Sequence, residues 1–141
     1  MIWKHQPTIT QINAIAAGTA MEHNGIEVTE IGPDFITARM PVDHRTKQPM
    51  GLLHGGASVL LSESLGSFAS FLTIEDISTH MAVGVEINAN HLRSASKGYV
   101  FGTTRPVRIG KTIQVWNTDI VDEEGKLVCT SRLTIAIVER K

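Results

Sequence analysis

A single cysteine, Cys129, stands among 141 residues, so no intrachain disulfide can form and the fold must rest on its apolar core. Set in a strand-like run, Cys129 reads as a small core residue rather than a reactive thiol. Charge of one sign is scarce as well: 13 Lys and Arg against 14 Asp and Glu leave a formal net charge of −1. That balance argues against the basic stripe of a nucleic-acid-binding protein, and any anionic ligand must be met by local positive groups. No apolar stretch approaches the ~18 residues of a membrane span. Met1 to Pro7 carries no hydrophobic leader core either, which makes a cytoplasmic location the expectation. Repeats, low-complexity tracts and linkers are missing, so residues 1–141 are expected to form one domain. With 42% apolar and 19% charged residues, that domain can bury a core of ordinary size.

Several chemistries lack their signatures. His5, His23, His44, His54, His80 and His91 show no HxxxH or HExxH spacing, and one cysteine cannot build a zinc knuckle. No metal and no cofactor are expected. There is no GxSxG elbow, no P-loop and no GxGxxG fingerprint, and nothing marks a Ser/His/Asp triad.

What is present alternates in period. Ile9, Ile12 and Ile15 share a helical face that starts at Thr8 or Thr10 and is closed by Gly18. Two strand-like runs, 26–31 and 35–40, flank the turn residues Gly32-Pro33-Asp34. A loop over 41–53 then leads to His54–Leu72, a proline-free segment that is apolar nearly all round and therefore expected to be a buried, central helix. Four strand-like runs follow, at 81–93, 99–109, 112–121 and 127–138. In the first, Met81, Val83, Val85, Ile87 and Ala89 recur at spacing two, while Glu86, Asn88 and Asn90 mark an edge or interface side. Short connections, including the polar turn Asp122–Lys126, imply hairpins and an antiparallel sheet. The fold class is α+β, with a sheet wrapped around one long helix.

Glu63 is the only charge in that helix. A carboxylate there either faces a cleft or subunit interface, or lies on a narrow exposed strip with Ser62 and Ser70. Ser67, four residues on, shares its face. His54-Gly55-Gly56 opens the helix, where free N–H groups and the helix dipole favour developing negative charge. A carbonyl placed at Gly55 would find an oxyanion site there, with His54 as an added donor or a loop anchor; a plain helix start is the alternative. Gln48 could orient a carbonyl or a water from the preceding loop. His91, Arg93 and Ser94, and further on Arg105, Arg108 and Lys111, supply basic and polar groups at strand ends that suit phosphates.

The run Thr46-Lys47-Gln48-Pro49-Met50-Gly51-Leu52-Leu53-His54-Gly55-Gly56-Ala57-Ser58, with Glu63 nine residues after His54, resembles the hotdog-fold acyl-CoA thioesterases of the 4-hydroxybenzoyl-CoA class. Within that class it is most similar to the branch serving menaquinone and enterobactin synthesis. The resemblance extends from Met1-Ile2-Trp3-Lys4 through Gly84-Val85-Glu86-Ile87-Asn88-Ala89-Asn90-His91 to Ser131-Arg132-Leu133-Thr134. It implies Glu63 as nucleophile or general base, the Gly55 N–H as oxyanion donor with His54 assisting, and Gln48 and Ser67 as positioning groups. It also implies acyl or CoA contacts from Phe68, His91, Arg93 and Ser94. An acyl-CoA substrate and a homotetramer, a dimer of dimers with sites between subunits, are expected on the same ground. Phe68 departs from the smaller residues of close relatives and bears on which acyl group fits. Two alternatives belong to the same fold: an acyl thioester dehydratase, and a non-catalytic acyl-CoA-binding domain. Dehydratase relatives usually carry an FPG-containing loop and another His-to-Glu spacing, neither of which is here. A binding domain normally needs an output domain, and the ~24 residues before the first strand are too few for one.

Overall fold

The computed structural model describes all 141 residues. In chain order the elements are α1 (Ile9–Ile15), α2 (Ala20–His23), β1 (Glu27–Ile31), β2 (Ile36–Pro41), α3 (Gly55–Thr73), β3 (His80–His91), β4 (Tyr99–Ile109), β5 (Ile113–Val121) and β6 (Leu127–Glu139). The six strands form one antiparallel sheet in the order β1-β2-β4-β5-β6-β3. The sheet curls around α3, which is the hotdog arrangement.

Local chemistry sets the helix starts. The Thr8 hydroxyl accepts from the Gln11 N–H while the Gln11 side chain accepts from the Thr8 N–H, a reciprocal cap that launches α1. One helix closed by Gly18 is expected from the spacing, but the structure has two. Gly18 takes φ +72°, and the Thr19 side chain accepts from Met21 N–H to begin α2.

Helix α3 packs by one face on the sheet. Leu61, Leu65, Ala69 and Leu72 are buried with Trp116, Ile120, Leu133 and Ile135, at about 1.5–3 kcal/mol for each large side chain withdrawn from water. Gly66 permits the close approach, since a Cβ there would fall 2.6 Å from Leu133 Cδ2. Trp116 Nε1 donates to Gln114 Oε1, and Gln114 Nε2 donates to Thr73 Oγ1, whereas the buried Ser62 and Ser70 hydroxyls of α3 have no partner. Cys129 is fully buried, as a core residue should be.

Two expectations about β3 need correction. It forms no hairpin with β4; it lies at the sheet edge beside β6, and the chain after it crosses to the far side of the sheet. That crossing is fastened by Leu92 N–H to Val128 O, Leu53 N–H to Ala95 O, and Val42 N–H to Gly98 O. Nor does the spacing-two apolar set share one face. The register shifts between Gly84 and Glu86, so Val85 is an extra residue that flips the alternation. Ala82, Ile87 and Ala89 pack on the core, while Met81, Val83 and Val85 are exposed. Glu86 and Asn88, which hydrogen-bond each other, do lie on an exposed edge strand.

Candidate active site

The approach to α3 is a small hairpin. Gly51 N–H donates to Gln48 O, Gln48 N–H donates to Leu52 O, and Gly51 takes φ +81°. This is a turn through Pro49 and Met50 completed by a left-handed glycine. The hairpin holds Gln48 half-buried, its side-chain oxygen accepting from Met50 N–H and its amide NH2 group left over. The loop hangs on Thr46, which is 2% exposed; its hydroxyl donates to Pro41 O and accepts from Asp43 N–H, and its carbonyl accepts from His54 N–H. Thr46 is a residue whose part the sequence reading missed; its only signal was its place in the motif.

His54 is the N-cap of α3. Its Nδ1 accepts from Gly56 N–H at 2.8 Å, which places the proton of a neutral imidazole on Nε2. The Gly55 N–H, at the first helical position, has no acceptor in the chain. The His91 ring lies against Gly55, and a Cβ on Gly55 would fall 2.8 Å from His91 Nε2. Gln48, Gly55, His91, Arg93 and Ser94 line one cavity of about 410 Å³ at the start of α3. The crossing after β3 brings the last three there. Arg105 is elsewhere, paired with Asp34 at 2.9 Å and stacked on Phe35. Arg108 and Lys111 are exposed near the β4–β5 turn, and the cavity at the start of α3 includes neither.

Glu63 lines a different, mostly apolar cleft of about 550 Å³ between α1–α2 and α3, with Ser67, Phe68, Ser64, Leu60, Phe71 and Ile15 among its walls. The exposed-strip alternative fails, because Ser62 and Ser70 are 1% and 0% exposed and point the other way. None of the chain's six ion pairs involves Glu63. Its carboxylate instead rests over backbone: a Cβ at Gly84 would fall 2.7 Å from Glu63 Oε1. The signal for Gly84 was legible, since a glycine inside a strand marks a close approach.

The expected site residues are therefore divided. Gly55 and Glu63 lie on one helix eight residues apart, or about 12 Å at 1.5 Å per residue. The two groups open into separate cavities that have no lining residue in common. One half offers a free backbone N–H with polar neighbours, the other a carboxylate in an apolar cleft.

Comparison with known proteins follows this geometry. Residues 50–129 match the family model described as the thioesterase superfamily. Over 138 residues the chain is 51% identical to the 1,4-dihydroxy-2-naphthoyl-CoA hydrolase of Escherichia coli, covering 98% of this chain and 100% of that one. It is 49% identical to a proofreading thioesterase of Cronobacter turicensis, with 98% and 99% covered. Among solved structures, a glutamine-to-alanine mutant of a thioesterase from Pseudomonas aeruginosa superposes with a TM-score of 0.97 at 43% identity, with 99% and 100% covered.

Proposed function

The chain belongs to the thioesterase superfamily, and we propose on that premise that it hydrolyses the thioester of an aromatic or medium-chain acyl-CoA at a site made by two copies. The observation that carries this reading is the division of the site. Glu63 and the Gly55 N–H are about 12 Å apart within one chain, yet thioester hydrolysis needs both at one carbonyl. A two-fold axis that runs the α3 helices antiparallel and crosses them midway, at Val59, sets Gly55 of each copy opposite Glu63 of the other. Two features support such a pairing. The outer face of α3, with Leu60, Glu63, Ser64, Ser67 and Phe71, is only half-buried by its own chain. The edge strand β3 spans twelve residues, with its backbone unpaired on one side and Met81, Val83 and Val85 exposed. The resemblance implies that two such dimers form a tetramer.

In this reading the thioester oxygen accepts from the Gly55 N–H at the positive end of α3, and Gln48 steadies the same group. Removing one such donor typically costs on the order of 10²–10³ in rate. Glu63 from the other copy attacks the carbonyl carbon. The C–S bond breaks, CoA leaves as a thiolate, and water cleaves the resulting anhydride to release the acid and restore the carboxylate. If Glu63 instead acts as a general base, it takes the proton of the attacking water. Ser67 lies one turn from Glu63 and positions the attacking oxygen in either case. His91, Arg93 and Ser94 line the cavity at Gly55, where the pantetheine and phosphates of CoA pass. His54 fixes the loop and keeps an Nε2–H for the oxyanion side. The 141 residues work as one domain, in the cytoplasm, without metal or cofactor.

The test is thiol release from dihydroxynaphthoyl-, hydroxybenzoyl-, benzoyl- and medium-chain acyl-CoA by wild type and Glu63→Gln side by side. Release by wild type with at least a hundredfold loss in the folded variant is expected. Equal release by both would remove Glu63 from the chemistry, and no release on any thioester would refute the assignment.

A further inference from the structure

Behind the Glu63 cleft lies a second cavity of about 420 Å³, bounded by the N-terminal segment, α1 and the end of α3. The two cavities share three side chains, Ile15, Phe68 and Phe71, so these form a wall between them. On the far side the lining is Lys4, His5, Gln6, Pro7, Ile12, Leu72 and Ile77, a mostly apolar pocket with a polar mouth.

Phe71 is the fixed part of that wall. The Lys4 and His5 N–H groups donate to Leu72 O, and Lys4 Nζ pairs with Glu75 at 3.0 Å, which straps the N-terminal segment over the end of α3. His5 Nε2 donates to Ile74 O at 2.8 Å. That bond holds the His5 ring stacked on Phe71, with centroids 6.2 Å apart. Ile15, by contrast, is 56% exposed at the end of a seven-residue helix and can give way. Chain running inward from Glu63 past Ser67 therefore meets Phe68 and Phe71 before it reaches the second cavity.

We propose that Phe71, held by His5, is the length stop of the acyl site, and that the cavity behind it is a subsite for the far end of a linear acyl chain, closed until Phe71 is trimmed. The proposal rests on the thioesterase reading and adds a limit to its substrate class: ring-sized and short linear acyl groups fill the cleft in front of Phe71, and longer chains are turned away. Each methylene newly buried behind the wall should raise kcat/KM roughly fourfold, the equivalent of about 0.8 kcal/mol.

The experiment compares kcat/KM for wild type, Phe71→Ala and Phe71→Leu on linear acyl-CoA from hexanoyl to hexadecanoyl, with benzoyl-CoA as the ring-sized reference. For Phe71→Ala the ratio of dodecanoyl to hexanoyl should rise more than tenfold. Phe71→Leu, which keeps most of the apolar volume should alanine impair folding, should shift the ratio less and in the same direction. Adding Ile77→Trp to Phe71→Ala refills the second cavity and should cancel the gain. A length profile in both Phe71 variants parallel to that of wild type overturns the proposal, as does a gain that Ile77→Trp leaves intact. Absence of thiol release by wild type on every thioester is a different result, which overturns the parent reading and this one together.

Discussion

Replacing Gly84 by alanine separates what holds the fold from what holds the carboxylate. Gly84 lies inside β3 without a positive φ, so an alanine can take its backbone conformation unstrained. Alone, that exchange should leave stability unchanged or raise it by roughly 0.5–1 kcal/mol, because alanine has less chain entropy to lose. The new methyl, however, would fall 2.7 Å from Glu63 Oε1, where an ordinary contact begins at 3.4 Å. The carboxylate must withdraw by about 0.7 Å, which a flexible glutamate side chain does at little cost to the fold. A misplacement near 1 Å costs on the order of a hundredfold in rate, so kcat should fall roughly ten- to a hundredfold. KM should move little, because the cavity at Gly55 does not include Gly84. The assay is steady-state thiol release, with Tm read on the same preparation. Wild-type kcat would refute the argument that Gly84 seats Glu63. A loss of activity matched by a large drop in Tm would show that the glycine serves packing instead.

Three further outcomes are expected. Thr46→Val keeps the shape but removes the bonds to Pro41 O and Asp43 N–H, so denaturant unfolding should show a loss of about 1–3 kcal/mol, with Gln48 displaced and turnover reduced. His54→Ala should lose about 1 kcal/mol of helix capping, read as a Tm lower by a few degrees. His54→Asn should regain that stability while turnover stays low in both variants, and full activity in the asparagine variant would reduce His54 to a cap. The Arg45 side chain bound to Asp43 lowers that carboxyl from its usual 3.8 to about 2. A depressed carboxyl stabilises the fold above its unfolded value and loses that contribution as pH falls through the folded one. The Tm difference between wild type and Asp43→Asn should therefore hold from pH 8 to 5 and shrink steadily between about pH 4 and 2; a difference undiminished at pH 2 would contradict the pairing.

Much of this molecule is written in local pattern. A charge-free apolar run with one glutamate marked both α3 and Glu63, because desolvating a lone carboxylate without purpose is costly. His54-Gly55-Gly56 marked the helix start, since the cap and the free N–H follow from chain direction alone. The pattern also placed Gln48 in the loop before α3 and the His91-to-Ser94 segment at a strand end, though not that segment beside Gly55; that proximity needs the crossing after β3, which no periodicity announces. The bulge at Val85 was hidden for a similar reason. An unbroken alternation from Met81 to Ala89 suits one flat face, and only pairing with β6 reveals the extra residue. The separation of Gly55 from Glu63 was legible in principle from the rise per residue. What needed the fold was that the two open into different cavities.

The most direct test of the two-copy site is complementation between inactive variants. Glu63→Gln removes the carboxylate, and Gly55→Pro removes one N–H at a first helical position that accepts proline, while its added Cβ pushes the His91 ring aside. Each should be nearly inactive as a pure, folded protein. After unfolding and joint refolding at equal amounts, about half the dimers are mixed, and each mixed dimer holds one site with both Gly55 and Glu63 intact. Thiol release should then return to roughly a quarter of the wild-type rate. If mixed dimers are isolated by two different affinity tags and their activity stays at that of the parents, both groups act within one chain and the account of the site is wrong.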